Sequence, residues 1–95
     1  MTASPSESID PEAGLRFALA GEKELHESED LWLAHALAAD RDGDPHATRY
    51  WNHLFTTILN LDDARERIAY FSEQLALAGV NPHAIIAEMR SQETA

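Results

Sequence analysis

"DRDGDPHATRYW", residues 40–51, sets aspartates at every second position of a short loop between two apolar, helix-like runs. Its reading decides the fold, because it is either a cation loop between two helices or the turn that joins them. An EF-hand loop needs oxygen ligands at positions 1, 3 and 5, a glycine at 6 and a bidentate glutamate at 12. Counted from Asp40, the first three are Asp40, Asp42 and Asp44. Position 6, however, is Pro45, whose ring forbids the positive φ of the sharp turn, and position 12 is Trp51, which offers no oxygen. What remains is three carboxylates able at most to hold a divalent cation weakly. The turn reading accounts for every residue. Asp and Gly are turn residues, Asp44 can cap the next helix, and Pro45 suits a first helical position because it has no N–H to leave unpaired.

Outward from this turn, the larger apolar residues run in phased blocks from residue 15 to residue 89. Upstream, Asp10-Pro11 repeats the cap-plus-proline start, and Leu15, Ala18, Leu19 and Glu22 line one side, with Phe17 on the flank. Gly14 and Gly21 weaken this helix, leaving open whether it stops at Gly21 or continues through "EKELHE", residues 22–27. Ser28 is the next capping candidate, followed by Glu29 and Asp30. "LWLAHALAA", residues 31–39, is apolar nearly all round, the pattern of a buried central helix.

Downstream, Trp51, Leu54, Phe55 and Ile58 share a helical phase, with Tyr50 beside them. Asn60 or Asp62 can cap a helix whose stripe is Ala64, Ile68, Phe71, Leu75 and Ala78. Gly79-Val80 reads as a left-handed stop, and Asn81-Pro82 opens a last short helix carrying Ile85, Ile86 and Met89. No strand-like alternation of useful length occurs. The expected fold class is all-α: a compact bundle of four to five short helices over residues 10–91. A flexible N-terminal tail is expected over residues 1–9 and a frayed C-terminus over 92–95.

Charge removes several functions. The chain of 95 residues carries a formal net charge of −10, with eleven acids against Arg16, Lys23 and Arg41 in residues 1–44. Such a surface repels phosphate backbones and anionic lipid, so neither nucleic acid nor membrane is an expected partner. No apolar run approaches the ~20 residues that span a bilayer. "MTASPSESID" has neither the basic head nor the apolar stretch of a secretory signal, which makes the cytoplasm the expected address. Cysteine is absent, excluding thiol catalysis and zinc–thiolate sites. Abundant alanine and one lysine beside six arginines match a GC-rich bacterial genome.

Of the five histidines, none pairs with another at i, i+3 or i, i+4. Glu22, His26 and Asp30 form a possible metal column if their segment is one continuous helix, against the plainer reading of a solvated charge network. His35, inside "LWLAHALAA", is expected to point partly inward; burial there would disfavour its charged form and make the fold acid-sensitive. No serine sits in a glycine-bracketed elbow and no glycine-rich phosphate loop exists, so no catalytic residue and no cofactor are expected. Ile85, Ile86 and Met89 either fold back over the bundle or form an interaction face, with C2 symmetry the default if the chain dimerises. The expectation is a small acidic helical interaction or regulatory module with a protein partner or itself. The alternatives are a weak divalent-metal protein and an acidic inhibitor of a basic-cleft enzyme.

Overall fold

A computed structural model describes residues 10–93 of the chain, with side chains described through residue 92. The tail expected over residues 1–9 lies outside the described residues. Within them the regular structure is helical: α1 (Pro11–Asp42), α2 (Ala47–Leu77) and α3 (Pro82–Glu93).

Three helices stand where four or five were expected, because two of the expected breaks do not occur. α1 runs through Gly21 and Ser28, and α2 runs through Asn60 and Asp62. A break leaves four carbonyls before it and four amides after it without helical partners, whereas an interior glycine costs only about 1 kcal/mol. Burial also keeps its phase across each expected break. On α1 the sheltered positions include Leu15, Ala18, Glu22, Leu25, Glu29, Trp32, Ala36 and Ala39, spaced alternately by three and four. On α2 they include Ala47, Tyr50, Leu54, Thr57, Leu61, Ala64, Ile68, Phe71 and Leu75, with the same alternation. That spacing is the seam of helices packed side by side.

The true helix ends share one chemistry. Gly43 (φ 68°) and Gly79 (φ 82°) take the left-handed conformation. After α1, Asp44 N–H donates to the Ala39 carbonyl (2.8 Å) and Gly43 N–H to that of Asp40 (3.3 Å). After α2, Val80 N–H donates to Leu75 (2.9 Å) and Gly79 N–H to Ala76 (3.0 Å). Both are Schellman closures, which pair carbonyls that the helix end would leave orphaned. Each is followed by an Asx-Pro start. Asp44 Oδ1 accepts from His46 N–H (2.8 Å), and Asn81 Oδ1 accepts from His83 N–H (3.0 Å). Asn81→Ala is expected to cost about 1 kcal/mol and Asn81→Ser much less, read from urea unfolding. Equal losses would show that the cap carries no weight.

The chain divides into two compact units, and α1 and α2 each contribute to both. The first comprises residues 10–20 and 65–93. Its core is Leu15, Leu19, Leu75 and Ile85, with Ile68, Phe71, Ile86 and Met89 packed against it. Gly14 belongs to the same packing: a Cβ there would fall 2.6 Å from Cε1 and Cζ of the Phe71 ring and 2.8 Å from Cε2. On the rim, Arg16 donates to Glu88 (2.8 Å) and lies 3.6 Å from Glu12. The hydrogen bond to Glu88 holds the Arg16 guanidinium above its ordinary pKa, and the charges of Glu88 and Glu12 act in the same direction.

The second unit, Gly21–Ala64, is a helical hairpin: the later part of α1, the turn, and the first part of α2. Its seam is built largely of small side chains. Ala36, Ala39, Leu54, Thr57, Leu61 and Ala64 are buried. Thr57, the one buried polar residue among those described, donates its hydroxyl to the His53 carbonyl (2.9 Å), which removes the cost of burying it unpaired.

"LWLAHALAA" is not a buried helix: Leu31, Leu33 and Leu37 are exposed, and only Ala36 and Ala39 are buried. Two helices side by side can shelter one seam, so an all-round apolar segment must leave most of its leucines outside. His35 is likewise exposed, so the burial on which its acid sensitivity was to rest is absent. On α2, Leu54 is buried as expected while Phe55 and Ile58 are exposed.

Candidate docking face

The aspartates of the turn are committed separately. Asp40 Oδ2 accepts from the Trp51 indole N–H (2.8 Å), Asp42 Oδ1 from Arg41 Nε (3.4 Å), and Asp44 from the backbone of His46. Among the described residues no group of three His, Asp or Glu side chains is placed to hold a metal ion. The Glu22, His26, Asp30 column does lie on one continuous helix, with Glu22 half-buried and the other two exposed. His26 Nδ1, however, sits 3.6 Å from Glu29 rather than closing on that column. Calcium, magnesium and zinc, each at 1 mM order, are therefore expected to leave the melting temperature unchanged; a clear rise with any of them would overturn this reading.

Ile85, Ile86 and Met89 are occupied within their own unit. Ile85 is buried among Leu15, Leu19 and Leu75, and the other two pack against that cluster. Of the two fates open to this last helix it takes the first, folding back onto α1 and α2. Ile85 is thereby buried, while Ile86 and Met89 stay partly exposed.

The hairpin has a different apolar surface, which follows from helix geometry. Leu33, Leu37 and Asp40 are spaced by four and three, so they line one side of α1. Trp51, Phe55 and Ile58 are spaced the same way and line one side of α2. The Asp40–Trp51 hydrogen bond joins these two lines, and the Trp51 and Phe55 rings lie 6.1 Å apart. Leu33, Leu37, Phe55 and Ile58 therefore open on one side of the hairpin, and all four are exposed, Leu37 and Phe55 each at 54%. The Asp40–Trp51 bond holds the two lines together at the turn. Trp51→Phe is expected to cost about 1 kcal/mol in thermal unfolding and Asp40→Asn less, since the amide oxygen still accepts. No difference between them would remove the bond from this account.

The other side of the seam carries rings. Trp32 stacks on His53 (centroids 4.4 Å apart, planes 16° apart), and His35 stacks on Tyr50 (5.7 Å, 26°). Trp32 also lies 6.2 Å from Tyr50. This cluster ties the helices laterally and offers no convergent set of donors or acids.

No protein-family model, curated protein or solved structure matches the chain. Among the described residues no helix is long and apolar enough to cross a membrane.

Charge sets the apolar face apart from the rest of the hairpin. Residues 31–39 and 50–61 contain no Asp, Glu, Lys or Arg. The remainder of Gly21–Ala64 holds ten acids against Lys23, Arg41 and Arg49, a net charge of −7 out of the chain's −10. The sequence pattern pointed to Ile85, Ile86 and Met89 and missed this surface. The signal that could have found it is the loss of charge over two runs that a short turn brings side by side.

Proposed function

We propose that the chain is a protein–protein interaction module that docks through the Leu33, Leu37, Phe55 and Ile58 side of its helical hairpin. The observation that carries this reading is the uncharged apolar surface left open on both helices of a strongly acidic unit. The largest contiguous apolar patch on a typical monomer covers about 300–600 Å² and is often functional. A groove between two helices receives the apolar stripe of a third. An acidic regulator that occupies a partner's basic cleft is a separate reading, which would dock through the carboxylates instead of the apolar side and bind with strong salt dependence.

The test combines stability with contact. The double variant Leu37→Glu/Phe55→Glu is expected to unfold within ~2 kcal/mol of the parent, since both side chains are half exposed and the contact of the Phe55 ring with Trp51 is worth about 0.5–1.5 kcal/mol. A photo-crosslinking side chain at position 55, in cells of the native source, is expected to give a discrete adduct that Leu37→Glu abolishes and that the same group at position 24 does not give. A loss of several kcal/mol in the double variant would make the surface part of the fold, and equal adducts from both positions would defeat the reading.

A further inference from the structure

We infer that the occupant of this face is an amphipathic helix bearing basic residues at both ends of its apolar stripe, rather than a second copy of this chain; the inference rests on the docking reading above. The α1 line reads Asp30, Leu33, Leu37, Asp40, and the α2 line reads Trp51, Phe55, Ile58, Asp62. An acid thus closes both ends of the first line and the far end of the second. Ten residues of α-helix separate Asp30 from Asp40, about 15 Å along the axis. A docked helix spanning that distance presents apolar residues at i, i+4 and i+7 to the leucines and Phe55. Its Arg or Lys side chains, roughly ten residues apart, then fall beside the carboxylates. Charge complementarity of this kind speeds encounter and excludes wrong partners.

A second copy fits less well on charge. Each hairpin carries −7, so pairing two of them brings like charges together around a small apolar centre. A basic helix gains attraction where a copy gains repulsion.

The experiment titrates the full-length protein with two synthetic helical peptides, identical in their Leu stripe. One has arginines about ten residues apart flanking the stripe, and the other has glutamates there. Binding is read by calorimetry, with sedimentation velocity of the protein alone alongside. The arginine peptide is expected to bind at least ~10-fold more tightly and to lose that margin as salt rises from low to high. Asp30→Asn/Asp62→Asn should narrow the margin, and Leu37→Glu/Phe55→Glu should abolish binding while the protein stays folded. Equal binding of the two peptides, lost in the glutamate double variant, would overturn the basic partner and leave the docking face standing. A dimer in sedimentation that the same variant dissolves would overturn it in favour of a second copy. Peptide binding and sedimentation both indifferent to Leu37→Glu/Phe55→Glu would sink the inference and the docking reading together.

Discussion

Gly14→Ala is expected to lower the melting temperature by roughly 10 °C, although alanine is the better helix former by about 1 kcal/mol. The reason is the Phe71 ring, three of whose carbons lie within 2.8 Å of where the new Cβ would be. Contacts that close force the ring or the helix to move. Overpacking a core in this way costs about 1–3 kcal/mol or more, which exceeds the propensity gain. Gly21 supplies the control on the same helix. Nothing lies within 4 Å of a Cβ built there, so Gly21→Ala is expected to stabilise by about 1 kcal/mol. Phe71→Leu should relieve the penalty at position 14, and a double-mutant cycle measures that coupling directly. If both alanine variants raise stability alike, the ring does not rest on the glycine.

Leu61→Ala should be the most damaging of the leucine truncations in the hairpin, and Leu59→Ala among the mildest. Leu61 is 1% exposed and Leu59 is 68% exposed. Truncating a fully buried leucine removes its transfer free energy and leaves a cavity, together about 2–5 kcal/mol. For a domain whose whole stability is about 5–15 kcal/mol, that loss is visible as partial unfolding at modest urea. Leu59→Ala is expected to stay within ~0.5 kcal/mol, the ordinary range for surface changes. Urea denaturation of the pair decides it. Similar midpoints would mean that the seam through Thr57, Leu61 and Ala64 has been drawn on the wrong side of α2.

These two leucines show what the sequence could and could not specify. The helical class was legible from apolar spacing, and so were the turn through Gly43, the stop at Gly79 and the start at Asn81-Pro82, while α2 begins at Ala47, just after the expected start at Pro45 or His46. Those signals are local: a positive φ needs glycine, and a proline after Asx suits only a first turn. Of the stripe Ala64, Ile68, Phe71, Leu75 and Ala78, apolar spacing placed the first four, whereas Ala78 is exposed beyond the end of α2. Helix length was not. Gly21, Ser28 and Asn60 each resemble an end, yet each sits inside a seam whose phase carries on, and packing along a whole helix outweighs a local penalty of about 1 kcal/mol. Burial was misjudged where apolar content was highest. Residues 31–39 contain enough leucine for a central helix, but only a third or fourth neighbour could cover them. Such neighbours were expected from breaks in α1 and α2 that do not form. The exposed apolar side of the hairpin was missed with them, since it consists of the leucines, Phe55 and Ile58 left over once the seam of the hairpin is filled.

The fit of the Phe71 ring onto bare backbone at Gly14 has a consequence for descent. The two positions constrain each other, so a side chain gained at position 14 ahead of a change at 71 comes with a loss of stability. Any cousin of this chain with alanine or serine at position 14 should carry something slimmer than phenylalanine at 71, and one that keeps the ring should keep the glycine.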